Sequence, residues 1–363
     1  MNRRSLILSA LAAPLSPVRQ SAPLSGFALE AGRVVLSGPP RIAGQAVLAA
    51  FDTGAEISSV SQNLADRLQL HPVGSLMVNT TAGRVRRPLV RIDLNLTGGS
   101  LTRQRALVMP DLMQHGVECV VGGGQLNGYR LQFSSGQIIT GASGGSGLRL
   151  RADRSSVPIA VFDAGGDAHR MVVDSGADMS SLSYDVGVLL AAKPDTASLY
   201  YDTTAGPRLR AIRLSARSGE LAVDNLLLRV RSPAPSLSTN RSAIAGLLGT
   251  DFMQSFDWSV SRGENGVFAR EISAPSQTWF GMGIDFRSDS GGSGEIVGLA
   301  RGGPGALAGL RPGDRLVSLN GVMPTDAERL KAVGACACEE VIEVVFERGS
   351  TRNVARLTTA PLI

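Results

Sequence analysis

Asp52-Thr53-Gly54-Ala55-Glu56-Ile57-Ser58-Ser59-Val60-Ser61 returns later in the chain as Asp174-Ser175-Gly176-Ala177-Asp178-Met179-Ser180-Ser181-Leu182-Ser183. Six of the ten positions are identical and the other four exchange within a chemical type. An apolar run precedes each copy, Val47-Leu48-Ala49-Ala50-Phe51 and Met171-Val172-Val173. Each block therefore reads as a strand delivering an aspartate into a turn, where a glycine lets another backbone approach closely. Duplication suggests a two-fold arrangement in which Asp52 and Asp174 face each other. Facing carboxyl groups can share one proton and activate a water, the chemistry of a paired acid and base.

The repetition extends further. Asn79-Thr80-Thr81-Ala82-Gly83-Arg84-Val85-Arg86 returns as Asp202-Thr203-Thr204-Ala205-Gly206-Pro207-Arg208-Leu209-Arg210. Val120-Val121-Gly122-Gly123-Gly124-Gln125-Leu126 returns as Leu247-Leu248-Gly249-Thr250-Asp251-Phe252-Met253. Three blocks repeated in one order mark an internal duplication. Between the copies, Gly141-Ala142-Ser143-Gly144-Gly145-Ser146-Gly147 has the composition of a flexible linker. Its formal G-x-S-x-G match lacks the strand and helix that a nucleophile elbow requires. Short runs such as Val34-Val35-Leu36, Leu89-Val90-Arg91-Ile92-Asp93-Leu94, Ala211-Ile212-Arg213-Leu214 and Leu226-Leu227-Leu228-Arg229-Val230 alternate with Gly, Pro and Asn breaks. This spacing predicts an antiparallel, barrel-like β unit in each half. One short helix is predicted after each ten-residue block, over 62–70 and 184–192. Ser61 is the candidate N-cap of the first, with Leu64, Ala65 and Leu68 on its apolar face.

Composition agrees with a globular, turn-rich β protein: 363 residues, 43% hydrophobic, 43 glycines and 18 prolines. The net charge of +5 raises the question of nucleic acid. The basic residues are scattered, however, and no basic block is interleaved with aromatics, so no nucleic-acid platform is expected. At the N-terminus, the basic Met1-Asn2-Arg3-Arg4 precedes an apolar stretch and the small-x-small Ala10-Leu11-Ala12. Residues 1–22 read as an export segment, of Sec or twin-arginine type, placing the protein in a bacterial periplasm. That stretch is too short to span a bilayer, so no stable membrane insertion is expected. Cys119 lies in an apolar run and reads as a small buried hydrophobe. Cys336 and Cys338 are too close for an unstrained mutual disulfide, and His71, His115 and His169 are isolated. No metal site and no cofactor are expected.

A second break, Ser273-Ala274-Pro275-Ser276-Gln277, precedes sequence of another kind. Phe280-Gly281-Met282-Gly283-Ile284 begins it, and Ala306-Leu307-Ala308-Gly309-Leu310-Arg311-Pro312-Gly313-Asp314 and Leu316-Val317-Ser318-Leu319-Asn320-Gly321 follow. A helical pattern over 326–333 leads to a strand-like Val341-Ile342-Glu343-Val344-Val345-Phe346.

The duplicated part resembles the aspartic proteases, in particular their retroviral-like branch, over roughly residues 26–273. The resemblance rests on the apolar run before Asp-Thr/Ser-Gly-Ala, the Gly-containing hairpin segment, and the apolar pair before a glycine, in both copies. It implies a mainly β, bilobal, pseudo-two-fold fold, with lobes over 26–140 and 148–273 joined by the linker 141–147. It implies that Asp52 and Asp174 form a catalytic pair holding the nucleophilic water, with Gly54 and Gly176 in their loops. The Thr53 and Ser175 hydroxyls would lock the two loops together. Thr80, Thr81, Ala82 and Gly83, and Thr203, Thr204, Ala205 and Gly206, would form flaps over a peptide substrate. Gly122 and Gly249 would lie behind the active-site loops. With both halves in one chain, a monomeric pseudo-dimer is expected. Gly122-Gly123-Gly124 departs from the bulkier sequence of the second copy.

The tail resembles a PDZ domain over about residues 277–363, most specifically in Ala308-Gly309-Leu310-Arg311-Pro312-Gly313-Asp314-Arg315-Leu316. Gly281, Met282, Gly283 and Ile284 would form its carboxylate-binding loop for a peptide C-terminus. The resemblances together imply an endopeptidase with a peptide-recognition module. The alternative is a catalytically silent protease fold acting as a PDZ-based binding protein. Asp-Thr-Gly turns also approach phosphate in sugar kinases, but those require α/β domains that this spacing does not supply.

Overall fold

The computed structural model describes residues 23–363 apart from 31, 81–82, 111, 113–115, 127, 141–146, 154, 232–243, 262–265, 275–279, 289–293 and 324–338. The expected export segment, most of the linker, Thr81, Ala82, the helix over 326–333, Cys336 and Cys338 lie outside the described residues. The first repeat forms β1 (Pro23–Glu30), β2 (Arg33–Ser37), β3 (Arg41–Ile42), β4 (Gln45–Ala46), β5 (Ala49–Asp52) and β6 (Ser58–Ser61). Then come α1 (Gln62–Arg67), β7 (Pro72–Thr80), β8 (Gly83–Leu96), β9 (Gly99–Met109), β10 (Cys119–Gly122), β11 (Gly128–Gln132) and β12 (Gln137–Thr140).

Helix α1 begins where its cap predicts: Ser61 Oγ accepts the Leu64 N–H at 3.1 Å, and Leu64 and Ala65 are buried. It stops short of residue 70 because Gln69 takes φ +51°. The Leu70 N–H then reaches back to the Ala65 carbonyl and the Gln69 N–H to that of Asp66. These paired bonds are a Schellman closure, which satisfies the last carbonyls and terminates the helix.

The second repeat follows the same plan. It forms β13 (Leu148–Leu150), β14 (Ala152–Asp153), β15 (Ile159–Ala164), β16 (Asp167–Val173), β17 (Ser181–Leu182) and α2 (Tyr184–Ala191). It continues through β18 (Ala197–Thr203), β19 (Gly206–Ser218), β20 (Leu221–Val230), β21 (Gly246–Leu248), α3 (Thr250–Met253), β22 (Phe256–Ser261) and β23 (Gly266–Glu271). Pairing within each repeat is mixed, which corrects the expectation of a purely antiparallel unit. Strand β10 runs parallel to β5, with Gly122 opposite Asp52, and antiparallel to β6. In the second repeat β21 runs parallel to β16 and antiparallel to β17. The parallel pairs β6–β9 and β17–β20 complete the pattern. Parallel pairing needs a long crossover, and the intervening hairpin strands supply it. As a result, each aspartate loop is bracketed by the strand that ends in Gly122 or in Leu248, just before Gly249.

The repeats join through the hairpins β11–β12 and β22–β23. Strands β11 and β22 pair antiparallel, Tyr129 opposite Val260 and Leu131 opposite Trp258. Strand β1 flanks one hairpin and β13 the other, giving the order β13-β23-β22-β11-β12-β1 across the junction. The pseudo-dyad therefore passes between β11 and β22. One apolar cluster runs through both repeats. In it Phe51 packs edge-on against Tyr129 at 5.3 Å, and Phe252, Phe256 and Trp258 form the counterpart on the other side. Asp257 of β22 accepts the Ser134 N–H at 2.9 Å and its hydroxyl at 2.7 Å, and pairs with Arg270.

The tail folds around its own core as β24 (Phe280–Gly281), β25 (Ile284–Ser288), β26 (Gly294–Ala300), α4 (Pro304–Leu307), β27 (Arg315–Leu319), β28 (Val341–Arg348), β29 (Thr351–Thr358) and β30 (Ala360–Pro361). Its Leu-Arg-Pro-Gly-Asp segment is a built turn. The buried Asp314 carboxylate accepts the Arg311 N–H and two bonds from the Arg348 guanidinium, each at 2.8 Å. The molecule is mainly β, and no helix among the described residues is long and apolar enough to cross a membrane.

Candidate active site

Asp52 ends β5, and Asp174 directly follows β16. Each next enters a turn held by its own backbone. Asp52 Oδ1 accepts the Gly54 N–H at 2.8 Å, and Asp174 Oδ1 accepts the Gly176 N–H at 2.9 Å. The Ala55 and Ala177 amides close on the Asp52 and Asp174 carbonyls. These bonds orient each carboxyl group toward the pseudo-dyad, where the two groups lie close enough to act on each other's proton affinity.

The loops are locked by a reciprocal set of bonds. The Thr53 N–H donates to Ser175 Oγ at 3.0 Å, and the Ser175 N–H donates to Thr53 Oγ1 at 2.9 Å. Each hydroxyl donates onward across the interface, Thr53 to the Val173 carbonyl and Ser175 to the Phe51 carbonyl. Both side chains are buried. Because every donor and acceptor in this buried set is paired, the relative position of the two aspartates is strongly determined.

Glycine is required on both sides for a steric reason. A Cβ on Gly54 would stand 2.7 Å from Asp174 Cγ, and one on Gly176 would stand 2.6 Å from Asp52 Cγ. Each loop thus passes against the opposite carboxyl group. Gly122 and Gly249 lie behind the loops: a Cβ there would meet the Ala55 and Ile57 backbone in one repeat and the Met179 backbone in the other.

The electrostatics are unequal. Burial, then the charge of Asp174 and their shared hydrogen bond, holds the Asp52 carboxyl well above the usual carboxylate range. Burial also raises Asp174, but the bond from Asp52, the Gly176 and Ala177 amides and the charge of Arg231 all oppose that rise. The two groups therefore titrate as a pair that holds one proton between them, with both carboxyls pushed up by burial and Arg231 acting on the Asp174 side alone. Both keep partial solvent exposure, so water can reach them.

The hairpins fall in equivalent places. Strands β7 and β8 pair up to Thr80 opposite Gly83. Strands β18 and β19 pair up to Thr203 opposite Gly206, where Thr204 and Ala205 form an exposed turn. Thr203 Oγ1 donates to the Gly206 carbonyl and accepts the Ala205 N–H, which fixes the tip. In the tail, Gly281 ends β24, Met282 and Gly283 are buried, Gly283 has φ +67°, and Ile284 opens β25.

Several further residues shape the site without belonging to a recognisable motif. Ser58 and Ser180 are one repeated serine, and each Oγ accepts the amide of the glycine behind its loop, Gly122 at 3.1 Å and Gly249 at 3.0 Å. Gln125 and Asp251 in turn bind those serines. The identity of the serine in both copies was a usable signal. Arg231 carried none, since one arginine among many does not announce a neighbour distant in sequence.

Comparison with known families bears on both parts of the molecule. Residues 39–123, which include Asp52 and Gly122, match the family described as aspartyl protease. Residues 295–348 match the family described as PDZ domain. No curated protein matches the chain. The chain thus carries an aspartyl protease match over its first aspartate repeat and a PDZ match in its C-terminal part.

Proposed function

We propose that this protein is an aspartic endopeptidase that cleaves peptide bonds with a water activated between Asp52 and Asp174. The observation that carries this reading is the pair of carboxyl groups brought together by the locked Thr53 and Ser175 loops, each lying against the glycine of the opposite loop. Close carboxyl groups cannot both ionise comfortably, so they share one proton and titrate as a pair. Aspartic proteases as a class are the standard example of this behaviour. The ionised member of the pair takes a proton from water, the hydroxide attacks the peptide carbonyl, and the protonated member gives its proton to the carbonyl oxygen. The roles then reverse: the member that took the water's proton passes it to the departing amine, the other takes a proton back from a hydroxyl of the tetrahedral diol, and the C–N bond breaks to give acid and amine. No covalent acyl-enzyme is formed.

The hairpins at Thr80–Gly83 and Thr203–Gly206 would act as flaps, holding an extended peptide through backbone hydrogen bonds. The PDZ domain would take a peptide C-terminus at Gly281, Met282, Gly283 and Ile284. A monomer is the working unit in this reading, since one chain supplies both aspartates. The basic-then-apolar N-terminal segment supports export to a periplasm. A proteome-derived peptide library treated with the wild type and with Asp174→Asn tests the reading. New termini should appear with the wild type alone. Equal cleavage by the two proteins, or none by either across acidic and neutral pH, would overturn it.

A further inference from the structure

The two hairpins differ in what lies along their outer edges. Strand β7 pairs only with β8 among the described strands, and Val73 and Met77 stand on it 52% and 47% exposed. Strand β18 is paired on both sides, by β19 and by β26 of the PDZ domain. Strand β26 divides one edge between two partners. Gly294 and Glu295 face β27 of its own domain, while Gly298, Leu299 and Ala300 face Thr203, Asp202 and Tyr201. The PDZ domain by itself would leave that second stretch as an open strand edge, which readily accepts another strand.

Side chains reinforce the seam. The Arg301 N–H donates to the Tyr200 carbonyl at 2.9 Å, and its guanidinium pairs with Asp202 at 2.7 Å. Arg210 of β19 pairs with Asp285 of β25 and lies 5.4 Å over the Tyr201 ring. Arg213 donates to the carbonyl of the terminal Ile363. Beneath them Leu199, Tyr201, Ala211, Leu227 and Ala300 form a buried apolar patch with Leu362 and Ile363 against it. Strand pairing, three charged contacts and a dry patch together hold the second hairpin in place, and no comparable set lies along β7 among the described residues.

We propose that the PDZ domain is a fixed clamp on the second hairpin, so that the first hairpin alone opens and closes to admit a peptide. The functional half of this statement rests on the endopeptidase reading; the clamp itself does not. Opening of β18 requires breaking its pairing with β26 and exposing the apolar patch, whereas opening of β7 breaks neither. The PDZ domain is then a wall of the catalytic unit as well as a peptide-binding module.

Hydrogen exchange of the full-length protein, read by mass spectrometry, tests the clamp without any catalytic readout. Segment 197–203 should exchange at least about tenfold more slowly than segment 72–80, because local protection follows the free energy of opening. Asp285→Arg should speed exchange in 197–203 and 298–301, leaving 72–80 and the PDZ core strand 341–348 unchanged. Combining it with Arg210→Asp should restore protection. If Asp285→Arg also loosens 341–348, Arg301→Glu, at an exposed pair, should give the localised rise instead. Equal protection of the two hairpins in the wild type, or charge reversals that leave 197–203 unaltered, would overturn the proposal. Such a failure would leave the peptide-library result standing, and the reverse also holds.

Discussion

Behind Asp52 the chain passes from Gly122 into a single 3-10 turn, Gly123–Gln125, whereas behind Asp174 it passes from Gly249 into helix α3. In the first lobe the turn presses so close that a Cβ on Gly124 would fall inside the Glu56 backbone, and one on Gly123 would lie 3.1 Å from the Tyr129 hydroxyl. In the second, Phe252 and Met253 fill the space and Thr250 donates to the Gly32 carbonyl of the first lobe. The flanks differ as well. The equivalent parallel strands end at Met109 in one lobe and at Val230, just before Arg231, in the other, so among the described residues Asp174 has a cation acting on it and Asp52 does not. Two copies of one loop can therefore present the same carboxyl group while tuning its proton affinity and its tolerance of substitution separately.

The comparison can be broken first at the aspartates. Asp52→Asn and Asp174→Asn should each lower peptide cleavage by about 10²–10⁴-fold, the usual worth of a positioned acid or base. If one variant kept most of its activity, the two lobes would not share the chemistry. Next come the facing glycines. Gly54→Ala and Gly176→Ala should each cost on the order of 10²-fold in kcat/KM, since displacement of a reacting group by about 1 Å has that effect. Unequal losses would show that one lobe yields more easily than the other.

The rear turns sharpen the contrast in stability. Gly124→Ala should destabilise by about 1–3 kcal/mol in urea titrations, the usual range for overpacking. Thr250→Ala, which removes the hydroxyl shared between the Gly32 and Asp178 carbonyls, should cost about 1 kcal/mol. A harmless Gly124→Ala would contradict the close packing of the first lobe.

Proton uptake separates the aspartates further. The folded state raises the Asp52 pKa above its unfolded value, so the native protein binds more protons than the unfolded chain. That contribution to stability is complete below the ordinary carboxylate range and is lost as pH rises through the raised value. Asp52→Asn should reduce this decline, leaving what Asp174 contributes, and be more stable than the wild type at pH 7, as read from urea midpoints across pH. A wild-type midpoint that does not fall over that window would refute the raised proton affinity of the pair. The smallest effect is expected from Arg231→Met, which gives the second lobe the residue of the first. Loss of the cation should move the acid limb of the kcat/KM profile upward, and an unmoved limb would show that Arg231 does not reach the dyad in solution.

Much of the site was legible because it is written twice. The repeated aspartate block, hairpin block and apolar pair before glycine each occupy equivalent places in the two lobes, and the Thr53 and Ser175 hydroxyls cross between them. Parallel pairing was not legible, because periodicity shows which face of a strand is buried but not the direction of its neighbour. The Schellman end of α1 was missed because Gln69, not glycine, takes the left-handed position. The roles of Ser58 and Ser180 depend on amides about 64 to 69 residues away, and local propensity carries no information on such distances.

Duplication, turn glycines and apolar runs are local properties, and from them alone follow a β protein, two like halves and a pair of special aspartates. Three things were decided only when the chain closed on itself. These are how burial and charge act on each aspartate, how tightly each rear turn packs, and that the PDZ domain adds a strand edge to the second hairpin but not to the first. Each depends on burial, on charge at a distance or on an unpaired strand edge finding a partner, and these are properties of neighbours in space that no single stretch of sequence contains.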